Sequence, residues 1–190
     1  VKKDFVYSTG ILKKADSYAY ELLEPLENKK VLDLGCGTGH HAVTFAKRGA
    51  NVYAIDLSPE MVRKTMELAK QQEVASCVTV LEMNAEVLEF PDESFDIVFG
   101  HSILHHLDLE LARSNIHRVL KKGGKGVFLE PLGHNALINL FRKITPGRRT
   151  PTEKPLRMEE ILEAIKKVPR SISHKMIQQY KNWGLEHSSF

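Results

Sequence analysis

Val31-Leu32-Asp33-Leu34-Gly35-Cys36-Gly37-Thr38-Gly39 is the stretch on which the reading of this chain turns. An apolar run carrying one acid opens into three glycines spaced two apart, and Ala42, Phe45 and Ala46 follow at helical spacing. That succession is a buried strand, a tight turn and a helix start, the unit with which an α/β sheet makes a floor for a nucleotide-like ligand. Glycine suits the turn because the backbone must bend sharply and because a Cβ would block close approach of a ligand. The spacing is G-x-G-x-G, with His40 standing where the dinucleotide fingerprint would end its G-x-x-G. Asp33 sets a carboxylate beside the turn, which suits a cationic ligand better than a pyrophosphate.

Outward from this stretch, strands alternate with helices. Strands are expected at 30–34, 51–56, 78–83, 95–100 and 125–130. A helix over 39–48 stops at Gly49; a second is announced by Ser58 as N-cap, Pro59 at its first position and Glu60 in its first turn. Met61, Thr65, Leu68 and Ala69 form its inner face. Leu109, Ala112, Arg113, Ile116 and Leu120 carry a further, mostly apolar stripe that ends at Lys121-Lys122-Gly123, a helix stop with cations on its negative end. This order gives an α/β fold: a doubly wound, mostly parallel sheet flanked by helices, with right-handed crossovers limiting its topology. Residues 16–23 read as a helix lying over the ligand pocket. Beyond Pro131 the expected elements are a short amphipathic helix over 135–143, a Pro-, Thr- and Arg-rich loop over 145–156, and helices over 158–167 and 174–183.

Composition sets bounds. The 190 residues suffice for one domain with a sizeable core, and 42% hydrophobic with 27% charged residues is ordinary for a globular chain. The organisation expected is a single domain over 1–190: a helical cover (1–29), a cofactor-binding core (30–131) and a substrate-side segment (132–190). No apolar run approaches the ~20 residues that span a bilayer, and no signal peptide is visible at the start, which is Val1 rather than Met. Cys36 and Cys77 stand far apart and give neither a disulfide framework nor metal-ligand spacing, so a cytoplasmic setting is the simplest. A net charge of +3 is too small to argue for nucleic acid.

The pieces quoted so far, with Asn84-Ala85-Glu86 after the third strand and Pro91-Asp92-Glu93-Ser94-Phe95-Asp96 before the fourth, resemble in order the motifs of the class I S-adenosylmethionine (SAM)-dependent methyltransferases. Within that class the chain resembles the ubiquinone/menaquinone-methyltransferase-like group, and the likeness runs from about residue 30 to about residue 131. The resemblance implies a Rossmann-like fold and SAM as cofactor, whose ammonium and sulfonium suit Asp33. It implies contacts to that cofactor from Asp33, Gly35, Cys36, Gly37 and Gly39. Asp56, 17 residues after Gly39, would accept hydrogen bonds from both ribose hydroxyls. Leu57 and Met61 would lie against adenine; Asn84, where Asp is commoner, would read the adenine amino group; Ala85 would offer its amide to a ring nitrogen, with Glu86 beside it. His101 would face the methionine part with its main chain, whereas Asp96 reads as structural. The class usually closes its sheet with a sixth strand and an antiparallel seventh, and no convincing pair is found over 168–190.

His105 and His106 are the catalytic candidates, since an imidazole at a pocket rim can serve as general base on a hydroxyl or amine. Packing or capping is the plainer role for each, and at most one of two helical neighbours faces the reacting methyl. No His, Asp, Glu and Cys cluster has metal-ligand spacing, so a metal-free site is expected. Glu130 to Asn135 would help line the acceptor side. The function these residues imply is methyl transfer from SAM to a small-molecule acceptor at O, N or C, leaving S-adenosylhomocysteine. A dinucleotide oxidoreductase is disfavoured by the glycine spacing and by Asp33. An RNA methyltransferase draws weak support from Arg142, Lys143, Arg148, Arg149, Lys154 and Arg157. Against it, Gly100-His101-Ser102-Ile103 lacks the Asn/Asp-Pro-Pro-aromatic signature, so nucleic acid is not the expected partner. A silent SAM-binding subunit supporting a partner is the remaining alternative. The oligomeric state and the acceptor are left open, because 1–29 and 131–190 carry the least motif signal.

Overall fold

The computed structural model describes residues 10–130, 156–160 and 163. The elements are α1 (Gly10–Leu23), β1 (Lys30–Leu34), α2 (His40–Lys47), β2 (Asn51–Asp56), α3 (Pro59–Gln71), a 3-10 turn (Ala75–Cys77), β3 (Val78–Glu82), β4 (Phe95–His101), a second 3-10 turn (Leu104–His106), α4 (Leu109–Val119) and β5 (Leu120–Leu129). The chain divides into two compact units, Val1–Arg157 and Met158–Phe190. In the second, residues 158–160 and 163 are helical. The expectations for 135–143, 145–155 and 174–183, and the question of strands over 168–190, fall outside the described residues.

The five strands form one sheet in the order β3-β2-β1-β4-β5, and every neighbouring pair is parallel. The chain winds from β1 outward to β3 and then returns to the other side of β1 with β4. The switch point therefore lies between β1 and β4, and its crevice opens at their carboxyl ends. Helices on both faces explain why Val31, Leu32 and Leu34 are all buried, without the alternation of a one-sided sheet. On one face Val31, Val52, Ile97 and Phe99 pack with Leu23 and Phe45; on the other Leu32, Leu34 and Val98 pack with Phe95 and Val119. Among the described residues no helix is long and apolar enough to cross a membrane.

Two local expectations need correction. Ser58 precedes α3 in extended conformation, but its side chain makes no capping bond; its N–H instead donates to Asp56 Oδ1 at 2.9 Å. A side-chain cap does form at Asp108, which starts α4 by accepting the Glu110 and Leu111 N–H groups at 3.0 and 3.1 Å. The cations placed at the end of α4 lie within β5, which begins at Leu120 because Leu120 pairs with Phe95 before the register shifts to Ile97 and Lys125. Lys121 Nζ reaches Asp96 Oδ1 at 3.0 Å, and Asp96 Oδ2 receives the Lys30 N–H at 2.9 Å. Asp96 is thus a structural clamp at the amino end of the sheet, as expected.

Candidate functional site

The glycine turn joins β1 to α2 and is held at three points. The Cys36 N–H donates to the Ile55 carbonyl at 2.8 Å, the Gly37 N–H to Asp56 Oδ2 at 2.9 Å, and the Thr65 hydroxyl to the Gly37 carbonyl at 3.0 Å. A Cβ on Gly39 would stand 2.7 Å from Thr65 Cγ2, so the bare backbone there lets α2 pack on α3. A Cβ on Gly35 would meet the Ile103 side chain at 2.6 Å. Gly37 differs. Its φ of +55° is left-handed, and nothing lies within 4 Å of where its Cβ would stand. The turn therefore leaves an open cradle above the carboxyl ends of β1 and β2.

Asp33 is 1% exposed beside this cradle. Burial pushes its carboxyl up to about 7, the Asp56 charge adds to the rise, and a bond from the Ala42 backbone opposes it. Its Oδ2 has no hydrogen-bond partner. A buried carboxylate oxygen without a donor is costly, and a cationic ligand would satisfy it. Asp56 is half-buried; both its oxygens accept backbone N–H groups, and a carboxylate retains further lone pairs for hydroxyls. Leu57 beside it is 68% exposed, an apolar surface next to the cradle, and Met61 is half-buried in the first turn of α3. Cys36 is no nucleophile: burial and the neighbouring Asp33 push its thiol up to about 12.

The segment after β3 is bonded more tightly than its sequence suggested. Asn84 Oδ1 accepts the Glu86 N–H at 2.9 Å, with Asn84 exposed and Ala85 buried. Glu86 Oε1 accepts the Asp108 N–H at 2.6 Å, so this carboxylate anchors the entry to α4. The Asn84 oxygen is expected from sequence to read the adenine amino group, with Glu86 beside it; the structure gives each side chain a partner within the protein.

At the carboxyl end of β4, Glu130 organises the following loop. Its Oε1 accepts the Ile103 and Leu104 N–H groups, each at 2.8 Å, and its Oε2 pairs with His105 Nδ1 at 2.7 Å. The side chains of His105 and Glu130 are both buried, at 7% and 4% exposure. His106 is half-buried, its ring centroid 4.1 Å from that of His105. His101 Nε2 lies 3.9 Å from Asp16 Oδ1. Its ring is 4.9 Å from that of His41, whose Nδ1 is bonded to the Tyr20 hydroxyl at 2.7 Å. Burial, with the neighbouring His101 and His40, pushes His41 down to about 3, so its ring is neutral. Sequence reading missed Asp16, Tyr20 and His41. They come from α1 and α2, far from His101 in the chain, and no spacing signal joins them.

Residues 32–128, half of the chain, match the family described as a methyltransferase domain. The demethylmenaquinone methyltransferase of Chlorobaculum tepidum is 38% identical over 116 residues, which are 60% of this chain and 46% of that protein. The crystal structure of the YcgJ protein from Bacillus subtilis superposes with a TM-score of 0.71 at 25% identity, covering 81% of this chain and 67% of that one. Phosphoethanolamine N-methyltransferase 2 of Haemonchus contortus, solved with S-adenosyl-L-methionine, has a TM-score of 0.69 at 29% identity, covering 81% and 36%. The chain spans about half the length of the curated relatives it matches.

Proposed function

Because the chain belongs to the methyltransferase-domain family, we propose that it binds SAM in the cradle above β1 and β2 and methylates a small-molecule acceptor at O, N or C. The observation that carries this reading is the unpartnered, buried Oδ2 of Asp33 beside the open space at Gly37. The first suits an ammonium; the second admits a ligand that any Cβ would crowd. Relatives named for demethylmenaquinone and phosphoethanolamine support a small-molecule acceptor. Free Cys36 and Cys77 suit a reducing cytoplasm, and 1–190 is read as one working domain.

Bound SAM supplies an electrophilic methyl on a sulfonium with a neutral thioether as leaving group. The protein's part is to hold and align. Asp33 neutralises the ammonium, while Gly35, Cys36, Gly37 and Gly39 offer main chain that follows the ligand closely. Asp56 takes the ribose hydroxyls on its remaining lone pairs, and exposed Leu57 with Met61 covers adenine. Asn84 keeps one carbonyl lone pair and its amide hydrogens for the adenine edge, beside the Ala85 N–H; Glu86 fixes that segment through Asp108. The His101 main chain, at the end of β4, would meet the methionine part. We assign His105 to positioning through Glu130 and the proton-accepting role, where an acceptor needs one, to His106. Alignment of this kind accounts for on the order of 7–11 kcal/mol of barrier lowering, so a base is not obligatory.

Calorimetric titration with SAM, S-adenosylhomocysteine and NAD tests the cofactor: the first two should bind with one-to-one stoichiometry and NAD should not. S-adenosylhomocysteine release across a panel of quinols, phenols and amines tests the acceptor. A folded chain that binds NAD and ignores SAM would overturn the proposal.

A further inference from the structure

We propose that Asp16, His41 and His101 bind a divalent transition-metal ion of the zinc and cobalt class, leaving a coordination position open at the carboxyl end of β4. One ligand atom from each of the three residues lies within 4.8 Å of the other two. They come from three elements, α1, α2 and β4, so their convergence is tertiary and left no spacing in the sequence. At metal–donor lengths near 2.0–2.2 Å, tetrahedral ligand atoms stand roughly 3.3–3.6 Å apart. His101 Nε2 and Asp16 Oδ1, already at 3.9 Å, need only a small closure. Two imidazoles and one carboxylate suit zinc, cobalt or nickel, whereas all-oxygen sites suit magnesium or calcium. Three protein ligands are also the number that leaves room for water or an oxygen of a bound molecule.

The surroundings of His41 prepare it as a ligand. Its Nδ1 is bonded to the Tyr20 hydroxyl at 2.7 Å, which leaves Nε2 as the ring nitrogen for an ion. A metal-bound histidine is ordinarily oriented in this way by an outer partner on its other nitrogen.

The site is tested without any cofactor, so its failure is distinct from failure of the methyl-transfer reading. Tag-free, chelator-treated protein of residues 1–190 is titrated with Co2+ by visible absorbance and with Zn2+ by equilibrium dialysis. One equivalent should bind, with the visible bands of four- or five-coordinate cobalt. Asp16→Asn and His101→Gln should each weaken binding by at least roughly tenfold. His117→Gln, on an exposed position of α4, should leave it unchanged. In the unaltered chain, where no folding defect can intervene, zinc should shift the ring signals of two of the nine histidines. Absence of stoichiometric binding, equal affinity in the Asp16 and His101 variants, or shifts at other histidines would each overturn the proposal.

Discussion

Replacing Asp33 by Asn should make the ligand-free protein more stable at neutral pH while removing its hold on the cofactor. Burial raises the carboxyl to about 7 in the fold from its ordinary 3.8. At 1.36 kcal/mol per unit this is about 4 kcal/mol. The sign follows from which state ionises first. Near pH 4 the unfolded chain begins to lose this proton while the folded chain keeps it. The favourable contribution is therefore full below about pH 4 and lost as pH rises through about 7. Asn keeps the shape and can still accept the Ala42 N–H, but carries no charge to bury. Variant and parent should have similar stability near pH 4 and diverge by up to about 4 kcal/mol at pH 8. At roughly 2–4 °C per kcal/mol that is a rise in Tm of about 8–16 °C. Urea unfolding of both proteins at pH 5, 6, 7 and 8 measures the difference, and calorimetry with SAM measures the functional cost. In the parent protein SAM affinity should fall by up to about tenfold per pH unit below 7, because the ammonium needs the ionised form. An Asn variant no more stable than its parent at pH 8 would refute the reasoning.

The other expectations concern the turn and its supports. Gly37→Ala should keep the fold, at a cost of about 1–2 kcal/mol for its left-handed backbone, yet lose SAM binding as the methyl enters the cradle; circular dichroism and calorimetry separate the two effects. Gly39→Ala should act on stability instead, lowering it by roughly 1–3 kcal/mol or more as its Cβ meets Thr65, and thermal melts will show it. Asp56→Ala should weaken SAM by a few kcal/mol at most, at about 1.5–3 kcal/mol per hydroxyl bond to a charged acceptor. Glu130→Ala removes the acceptor of two backbone N–H groups and of His105, at about 1–3 kcal/mol each. Glu130→Gln keeps an acceptor for the backbone and should be milder in urea unfolding.

Much of this could be read from residues in a row. Strands 30–34 and 51–56 fall where expected because each is a short, mostly apolar segment bounded by turn residues. The start of α3 was legible because Pro59 and Glu60 act within one turn, although the capping Ser58 side chain found no amide to bond. The start of β5 was not legible. Whether Leu120 continues a helix or begins a strand depends on Phe95, a partner that local propensity cannot see.

The same division runs through the site. The glycine spacing, Asp33 and Asp56 suggest the proposed cationic nucleoside from sequence because their chemistry is local: the turn, the acid beside it and the acid at the tip of the next strand form one βαβ unit. That Asp33 is left with an unpartnered oxygen, that Glu130 grips the loop carrying His105, and that Asp16 and His41 gather at His101 were decided by packing alone. Sequence by itself determined the order of strands and helices and suggested the ligand class proposed for the first turn, through periodicity and short-range backbone constraints. Tertiary structure decided which side chains meet across β4 and which buried charge lacks a partner. Burial and distance between remote residues set both, and neither leaves a mark on spacing along the chain.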